Sequence, residues 1–98
     1  MNIDREKVTS LYDIYKDLLT DKEKEYFEYY FCEDYSLNEI SEINEVSKSY
    51  SSKYLNQIVN KLLKYESSLK IYERNNKIKK YLESIDSKEI KDKIEELL

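Results

Sequence analysis

The sequence has no glycine, proline, histidine or alanine, and it has a single cysteine. Without glycine and proline, tight left-handed turns and primed β-hairpins are hard to build, although asparagine can substitute, so a β fold is disfavoured. A glycine-rich loop that brings backbone amides against a phosphate is excluded. The missing histidine removes the commonest general base and metal ligand. We therefore expect a protein that is not an enzyme and that needs no cofactor or metal.

The one cysteine and the hydropathy profile bear on location. Cys32 cannot form an intramolecular disulfide or a multi-thiolate zinc site, and a lone thiol fits a reducing cytosol. It lies in the apolar run YFEYYFC, which favours a buried structural thiol over a reactive one. The start, MNIDREK, has no apolar stretch behind a basic residue, and no window approaches the roughly 20 apolar residues of a membrane span. We expect a soluble, cytoplasmic protein without membrane insertion.

Apolar residues recur at helical spacing from the start of the chain, which predicts an all-α protein. Thr20 begins a T-D-K-E capping box with Glu23, which predicts a second helix over about 21–33. The first helix is expected to end near Leu19, and its apolar pattern consists of Val8, Leu11, Tyr12, Tyr15, Leu18 and Leu19. The second helix is expected to bury Phe27, Tyr30 and Phe31.

The next helices start at serines. A capping box, S-L-N-E from Ser36 to Glu39, opens a short helix, and Ser47 can cap a long helix that starts at Lys48 and either runs on or breaks near 74–76. The short helix is expected to bury Leu37, Ile40 and Ile43. The apolar face of the long helix is Leu55, Ile58, Leu62, Tyr65, Leu69 and Tyr72, continued by Ile78, Leu82 and Ile85. A D-S-K-E signal at 86–89 predicts a short terminal helix that carries Ile90, Ile94 and Leu97.

A short helix, a turn of three or four residues and a helix with a capping serine describe a helix-turn-helix. The pair is Leu37–Ile43 and Lys48 to about Tyr65, and Val46 in the turn is expected to fill the angle between them. The predicted fold class is therefore a small all-α bundle with a helix-turn-helix and a long C-terminal helix. We predict a single helical domain, 1–98, with the helix-turn-helix at about 36–65 and a C-terminal helical extension at about 66–98.

Charge is segregated along the chain, although the net charge is only −4. Residues 1–45 hold 5 basic and 13 acidic side chains, residues 46–81 hold 9 basic and 2 acidic, and residues 82–98 hold 3 basic and 6 acidic. An anionic partner such as nucleic acid would favour the basic middle, because each neutralised phosphate releases a counterion. The alternative is that these lysines pair with the acidic N-terminal helices inside the same fold.

The second helix of a helix-turn-helix carries the side chains that face the major groove. Lysine and serine can bind phosphates, and serine and tyrosine can reach base edges. The segment has no early asparagine or glutamine, since Asn56 and Gln57 come a turn or more too late, and this argues against a highly specific operator binder. The residues expected to contact nucleic acid are Lys48, Ser49, Tyr50, Ser52 and Lys53, with Lys61 and Lys64 as phosphate contacts.

Three stretches resemble the YlxM family: LYDIYKDLLT at 11–20, YYFCEDYSLNEI at 29–40 and VS at 46–47. The resemblance covers Val8 to about Leu82. YlxM-like proteins are small bacterial proteins that resemble region 4 of sigma factors and are encoded beside signal recognition particle genes. The resemblance implies an all-helical, sigma region 4-like fold. It also implies an accessory or regulatory role in the signal recognition particle pathway, which is itself inferred from gene neighbourhood.

The chain departs from the family pattern within the motif itself. The family usually has glycine where this chain has Asn38 and alanine where it has Ser41. It has an aromatic residue where Asn44 stands and an apolar residue where Ser51 stands. We expect the loss of small and apolar residues at the helix crossing to loosen the unit, which bears on DNA binding more than on the fold.

Two functions compete on these observations. In the first, the protein is a signal recognition particle accessory whose basic middle binds RNA or DNA through phosphates, with strong salt dependence and little sequence preference. In the second, it is a protein-interaction module that docks on the particle's protein subunit or forms a homodimer, because the apolar stripe from Leu62 to Ile85 needs a cover. A sequence-specific transcription regulator is a third reading, disfavoured by the poor set of base-reading side chains.

Overall fold

The computed structural model describes residues 4–98, and helices make up most of this part. The first three residues, which belong to the predicted 1–98 domain and to the MNIDREK segment, lie outside the described part. A 3₁₀ turn (Lys16–Leu18) and a π-helical turn (Glu28–Cys32) extend the first two α-helices. No strand occurs in residues 4–98, which confirms the predicted all-α fold class. The α-helices of this part are α1 (Arg5–Tyr15), α2 (Asp21–Phe27), α3 (Leu37–Asn44), α4 (Lys48–Leu69), α5 (Ile71–Leu82) and α6 (Lys88–Glu95).

Hydroxyl caps start four of these helices where the sequence predicted a start. The segments Thr20–Glu23 and Ser36–Glu39 form complete capping boxes, in which side chain and backbone bond reciprocally. Ser47 caps α4, and Ser87 caps α6 by accepting the amide of Ile90 at 3.4 Å. These bonds satisfy amides that have no partner within the helix. The predicted helix starts are confirmed.

The core lies where α4 crosses α1, α2 and α3. Tyr12 and Phe27 stack with ring centroids 4.2 Å apart, which joins α1 to α2. One face of α4 is buried in this core, and the opposite face of its first half is left to solvent. The buried face of α4 consists of Ser51, Leu55, Ile58, Val59 and Leu62.

Three residues expected in the apolar faces are exposed: Leu18 at 52%, Ile43 at 50% and Leu69 at 53%. Leu18 lies in the 3₁₀ turn, whose tighter winding rotates its side chain away from the core. The buried side of α3 carries Ile40 and Ser41, and Ile43 lies beside that face. Leu69 is the last residue of α4, beyond the core. The predicted burial of Ile43 is wrong, and the expected apolar faces are exposed to solvent at Leu18 and Leu69.

The second helix was predicted to run to about residue 33, but its α-helical part ends at Phe27. At Glu28–Cys32 it widens into a π-helical turn, and the amide of Glu33 donates to the carbonyl of Glu28 at 2.9 Å. A π-turn shifts the phase of the helix, and here it accompanies a stack of Phe27 on Phe31 with centroids 4.5 Å apart, both rings buried. Tyr30 is only half-buried at the rim.

Cys32, at the end of the π-turn, is exposed, so the predicted buried thiol is wrong. Partial desolvation of the thiol, followed by the nearby carboxylates of Glu28 and Asp13, raises the pKa of Cys32 above its ordinary value. The thiolate, which is the reactive form, is therefore disfavoured. The thiol is accessible without being activated.

The long helix ends at Leu69, several residues before the predicted break near 74–76. Lys70 adopts a left-handed backbone conformation, with φ at 54°, and α5 begins directly after it. Its amide still donates to the carbonyl of Glu66 at 2.8 Å. Left-handed backbone is unfavourable for a residue with a Cβ, and side-chain contacts from α1 and α4 stabilise the backbone directly after it.

Those contacts are made by the side chains of Glu66 and Tyr15. The Glu66 carboxylate accepts the amides of Tyr72 at 3.0 Å and Glu73 at 3.1 Å, and so caps α5 from the preceding helix. The Tyr15 hydroxyl donates to Glu66 at 2.7 Å and accepts the amide of Ile71 at 3.3 Å. The helix therefore breaks at the level where α1 ends, and α5 continues from this junction.

The C-terminal helices extend the molecule, whose principal dimensions are 54 × 25 × 24 Å. Leu82 is buried, and Ile85 and Ile94 are half-buried. Tyr81 and Ile90 are exposed on α5 and α6. Within residues 4–98, no helix combines the length and the apolar character that crossing a membrane requires.

Candidate nucleic-acid interface

The helix-turn-helix predicted from the sequence is formed by α3 and α4. Glu45 ends α3 in the left-handed region with φ at 56°, which reverses the chain without glycine. The amide of Val46 donates to the carbonyl of Ser41 at 3.0 Å, and the Val46 side chain is half-buried. The amide of Tyr50 donates to the Ser47 hydroxyl at 3.0 Å. The turn and the start of α4 are thereby held in place.

The crossing of α3 and α4 contains two buried serines that bond to each other. Ser41 and Ser51 have their hydroxyl oxygens 2.7 Å apart, and the Ser41 hydroxyl also lies 2.7 Å from the carbonyl of Leu37 and 3.2 Å from that of Ser47. These are two of the positions at which the chain departs from the family pattern. The sequence predicted that such polar residues loosen the unit, whereas in the structure each hydroxyl satisfies the other.

Four of the seven predicted contact residues lie together on the solvent side of α4. They line a surface groove of about 490 Å³, bordered on the α3 side by Leu37. Asn56 also lines this groove, although the sequence placed it too late for contact. The spacing from Lys48 through Ser52 to Asn56 is i, i+4, i+8, which places the three residues on one helix face. This spacing could have predicted that Asn56 lies on the groove. The groove brings together Lys48, Ser49, Ser52 and Lys53.

Tyr50 lies on the adjoining side of α4. Its side chain is 45% exposed and stacks on Tyr54 with centroids 5.8 Å apart. Together with Lys53 and Gln57 these rings line a second, smaller cleft. Lys53 therefore borders both the groove and the tyrosine cleft.

The predicted phosphate contact Lys61 has an internal partner. Its ammonium lies 3.0 Å from the carboxylate of Glu23, whose side chain is only 12% exposed. The hydrogen bond that Lys61 donates to the Glu23 carboxylate raises the pKa of Lys61. Burial raises the pKa of Glu23, but the bonds from the Thr20 amide and from Lys61 outweigh it, and the net shift is downward. Lys61 thus pairs with a carboxylate of an N-terminal helix, which is the alternative to phosphate binding that the sequence left open.

Lys64 is exposed, eleven residues after Lys53. Eleven residues are close to three full turns, so the two lysines share a side of α4, roughly 16 Å apart along its axis. Residues 48–65 contain four lysines and no acidic residue. In the part of the chain that the structure describes, no carboxylate lies within 4.0 Å of the ammonium groups of Lys48, Lys53 or Lys64.

The electrostatics of this face favour an anion. The ammonium groups of Lys48 and Lys53 are exposed, and the positive end of the helix dipole of α4 lies at the same end as the groove. Charged groups that are not internally neutralised act on a phosphate backbone over about 8 to 10 Å at physiological salt. The face can therefore bind phosphates without first breaking an ion pair.

Comparison with known proteins agrees with this architecture. Residues 3–98 match the UPF0122 family, described as "Putative helix-turn-helix protein, YlxM / p13 like". A UPF0122 protein of Ureaplasma urealyticum is 52% identical over 63 residues, which cover 64% of each chain. One from Caldanaerobacter subterraneus is 47% identical over 62 residues, 63% of this chain and 53% of the relative. One from Staphylococcus epidermidis is 37% identical over 66 residues, 67% of this chain and 60% of the relative.

The aligned part of the chain spans less than two thirds of the length of these relatives. The family match, in contrast, covers nearly all of the chain, from residue 3 to residue 98. The resemblance drawn from the residue pattern is confirmed. This chain belongs to the UPF0122 family of YlxM / p13-like helix-turn-helix proteins.

Proposed function

We propose that this protein binds nucleic acid through the groove on the first half of α4, mainly by phosphate contacts, and that it acts as an accessory or regulatory protein of the signal recognition particle pathway in the cytoplasm. The observation that carries the proposal is the groove lined by Lys48, Ser49, Ser52 and Lys53 beside an intact helix-turn-helix turn. Its lysines have no carboxylate within ion-pair distance among residues 4–98.

The composition of the groove favours phosphate contacts over base reading. Lysine binds phosphate as a point charge, and the serine hydroxyl can donate a hydrogen bond to a phosphate oxygen. The planar side chains that read base edges with two bonds are arginine, asparagine and glutamine, and among these types Asn56 lines the groove. Binding is therefore expected to fall steeply with salt and to depend little on sequence.

The pathway assignment is supported by the family resemblance, because YlxM-like proteins are encoded beside signal recognition particle genes. The RNA of that particle is therefore the first ligand to test, with a random DNA duplex as the comparison. Fluorescence anisotropy at low and at near-physiological salt measures both affinities. Tighter, salt-sensitive binding to the RNA supports the particle role. Stronger binding to the duplex supports a DNA role of the same groove.

The decisive variant removes both groove lysines, Lys48→Ala with Lys53→Ala. We expect weaker binding and a logarithmic salt slope smaller by up to roughly 2, because up to two phosphate contacts are lost. The control variant Lys16→Ala with Lys22→Ala removes the same charge from exposed positions at the N-terminal end. If the salt slope of the groove variant is unchanged, the groove is not the phosphate-binding surface. If the control variant loses as much affinity as the groove variant, the effect comes from the overall charge.

A second candidate function is a protein-interaction module without nucleic-acid binding. Several large apolar side chains are exposed from the end of α4 to the C-terminus, namely Leu69, Tyr81, Ile90 and Leu97. Such residues favour a contact with the particle's protein subunit or with a second copy of the chain. This function predicts salt-tolerant binding to the subunit, or a dimer by sedimentation equilibrium, and no affinity for nucleic acid at low salt.

A further inference from the structure

Three tyrosines form a stack that runs from the core to the surface beside the groove. Tyr26 is fully buried in α2, and its ring meets Tyr54 of α4 edge to face, with centroids 4.6 Å apart and planes at 89°. Tyr54 in turn stacks on Tyr50, with centroids 5.8 Å apart and planes at 24°. Exposure rises outward, from 0% at Tyr26 through the half-buried Tyr54 to 45% at Tyr50.

The outer ring of this stack packs on a neighbour that the core supports. Tyr50 and Tyr54 are four residues apart on α4 and therefore meet on one face of the helix. The Tyr50 amide is bonded to Ser47 in the first turn, and the edge-to-face contact with a fully buried ring supports Tyr54 from below. Within residues 4–98, Tyr54 is the one aromatic ring that stacks on Tyr50. The tyrosine stack thus presents a partly exposed ring on a supported base.

The surroundings of Tyr50 contain the polar groups that a nucleotide needs. The cleft of about 250 Å³ beside the ring is lined by Tyr50, Lys53, Tyr54 and Gln57. Lys53 also lines the phosphate groove, so a backbone that crosses the groove passes beside the tyrosine cleft. The amide of Gln57 offers both a donor and an acceptor to a base edge.

We propose that the tyrosine stack is a base-stacking site: Tyr50 packs against the face of an unpaired nucleobase, Lys53 binds the adjacent phosphate, and Gln57 bonds to the base edge. This inference rests on the proposed function and specifies its ligand class as single-stranded nucleic acid or an unpaired loop. In a duplex, base faces are covered by neighbouring pairs and a protein reaches only base edges. Unpaired bases expose their faces, and aromatic side chains recognise them by stacking.

The test uses a short uridine-rich oligonucleotide with one 2-aminopurine, as single-stranded RNA, as single-stranded DNA and paired in a duplex. Stacking on an aromatic ring quenches 2-aminopurine fluorescence, and anisotropy gives the affinity. Wild-type protein and Tyr50→Phe are expected to quench the single-stranded probe, whereas Tyr50→Leu is expected to lose the quenching and to bind roughly 5- to 100-fold more weakly. Quenching in either single-stranded arm supports the site and identifies the sugar that it accepts.

The matched control is Tyr81→Leu, which removes an exposed tyrosine that lies outside the tyrosine stack. It is expected to behave as wild type, and circular dichroism shows whether each variant keeps its helices. The base-stacking site is overturned if Tyr50→Leu quenches and binds the single-stranded probe as strongly as the wild type does. It is also overturned if the wild-type protein quenches the duplex probe as strongly as the single-stranded probe. The proposed function survives that result if Lys48→Ala with Lys53→Ala still weakens binding. If wild-type protein binds no oligonucleotide at low salt, the proposed function fails and the inference fails with it.

Discussion

The hydroxyl groups of Ser41 and Ser51 share a hydrogen bond of 2.7 Å in the buried crossing of α3 and α4. The Ser41 hydroxyl has a single proton and two backbone carbonyls within reach, those of Leu37 at 2.7 Å and Ser47 at 3.2 Å. We therefore assign Ser51 as the donor in the shared bond. Each serine thereby occupies a position where the family resemblance led us to expect a small or apolar residue, without leaving a buried polar group unpaired. The two serines satisfy their buried polar groups because they occur together at this crossing.

This pairing predicts a strongly non-additive mutant cycle. Ser41→Ala leaves the fully buried Ser51 hydroxyl without its acceptor and is expected to destabilise by about 1–3 kcal/mol. Ser51→Ala leaves Ser41 bonded to Leu37 and is expected to cost less. The double variant is expected to be near neutral, since both polar groups are gone. Urea unfolding of the four proteins measures the cycle, and additive effects would contradict the pairing.

The junction of α4 and α5 is predicted to be sensitive to acid through Glu66. Burial raises the pKa of Glu66, but the bonds from the Tyr15 hydroxyl and from the Tyr72 and Glu73 amides outweigh it, so its net pKa lies below the ordinary 4.5. A carboxyl with a depressed folded-state pKa contributes stability above its unfolded pKa and loses it as pH falls through the folded value. Wild type should therefore lose stability below about pH 4.5.

Glu66→Gln is the variant for this prediction. It should be less stable than wild type at neutral pH by about 1–3 kcal/mol, because an amide is a weaker acceptor for two backbone amides and a hydroxyl. It should also show a shallower decline between neutral and acidic pH in urea unfolding. Glu73→Gln, at an exposed position on α5, is the control. Parallel pH profiles for wild type and Glu66→Gln would contradict the capping role.

Lys61 and Lys64 are predicted to separate stability from binding. Lys64→Ala should lower the salt slope of nucleic-acid binding by about 1 with little change in unfolding. Lys61→Ala should lower the free energy of unfolding by up to about 1 kcal/mol, because it breaks the partly exposed pair with Glu23. Anisotropy and urea unfolding of both variants test this. A larger binding loss in Lys61→Ala would show that the ion pair opens when nucleic acid binds.

Arg5 is predicted to fasten the π-helical turn to α1. Its guanidinium lies 5.5 Å from the ring centroid of Tyr30 and 5.1 Å from that of Phe31, and it donates to the backbone carbonyls of both residues at 3.3 and 3.4 Å. Arg5→Ala is expected to destabilise by about 1–2 kcal/mol. Arg5→Lys should restore only part of this, since an ammonium cannot reproduce the planar fork. Thermal unfolding measures the stability of wild type, Arg5→Ala and Arg5→Lys. If Arg5→Lys is as stable as wild type, a positive charge at this position is sufficient and the guanidinium geometry is not needed.

Much of the fold could be predicted because its signals are local. The capping boxes at Thr20 and Ser36 and the cap at Ser47 act within four residues, so the starts of α2, α3 and α4 were found from short stretches of sequence. The groove residues were predicted for the same reason, since their spacing on one helix fixes their common face. Burial was harder to predict at Leu18 and Ile43, where a change of helix winding or the position of a neighbouring helix decides which side faces the core.

By itself, the sequence determined the all-α class, the helix-turn-helix and the lysines on the outer side of α4, because each depends on propensity, capping or periodicity within one segment. Only the tertiary structure shows where the long helix breaks, because next to Lys70 the Tyr15 hydroxyl bonds to Glu66, 51 residues apart, and both side chains accept the first amides of α5. Likewise, only the packing of α2 against α4 paired Lys61 with Glu23 and supported the tyrosine stack from Tyr26. Contacts between distant segments are selected by the packed geometry, and no short pattern encodes them.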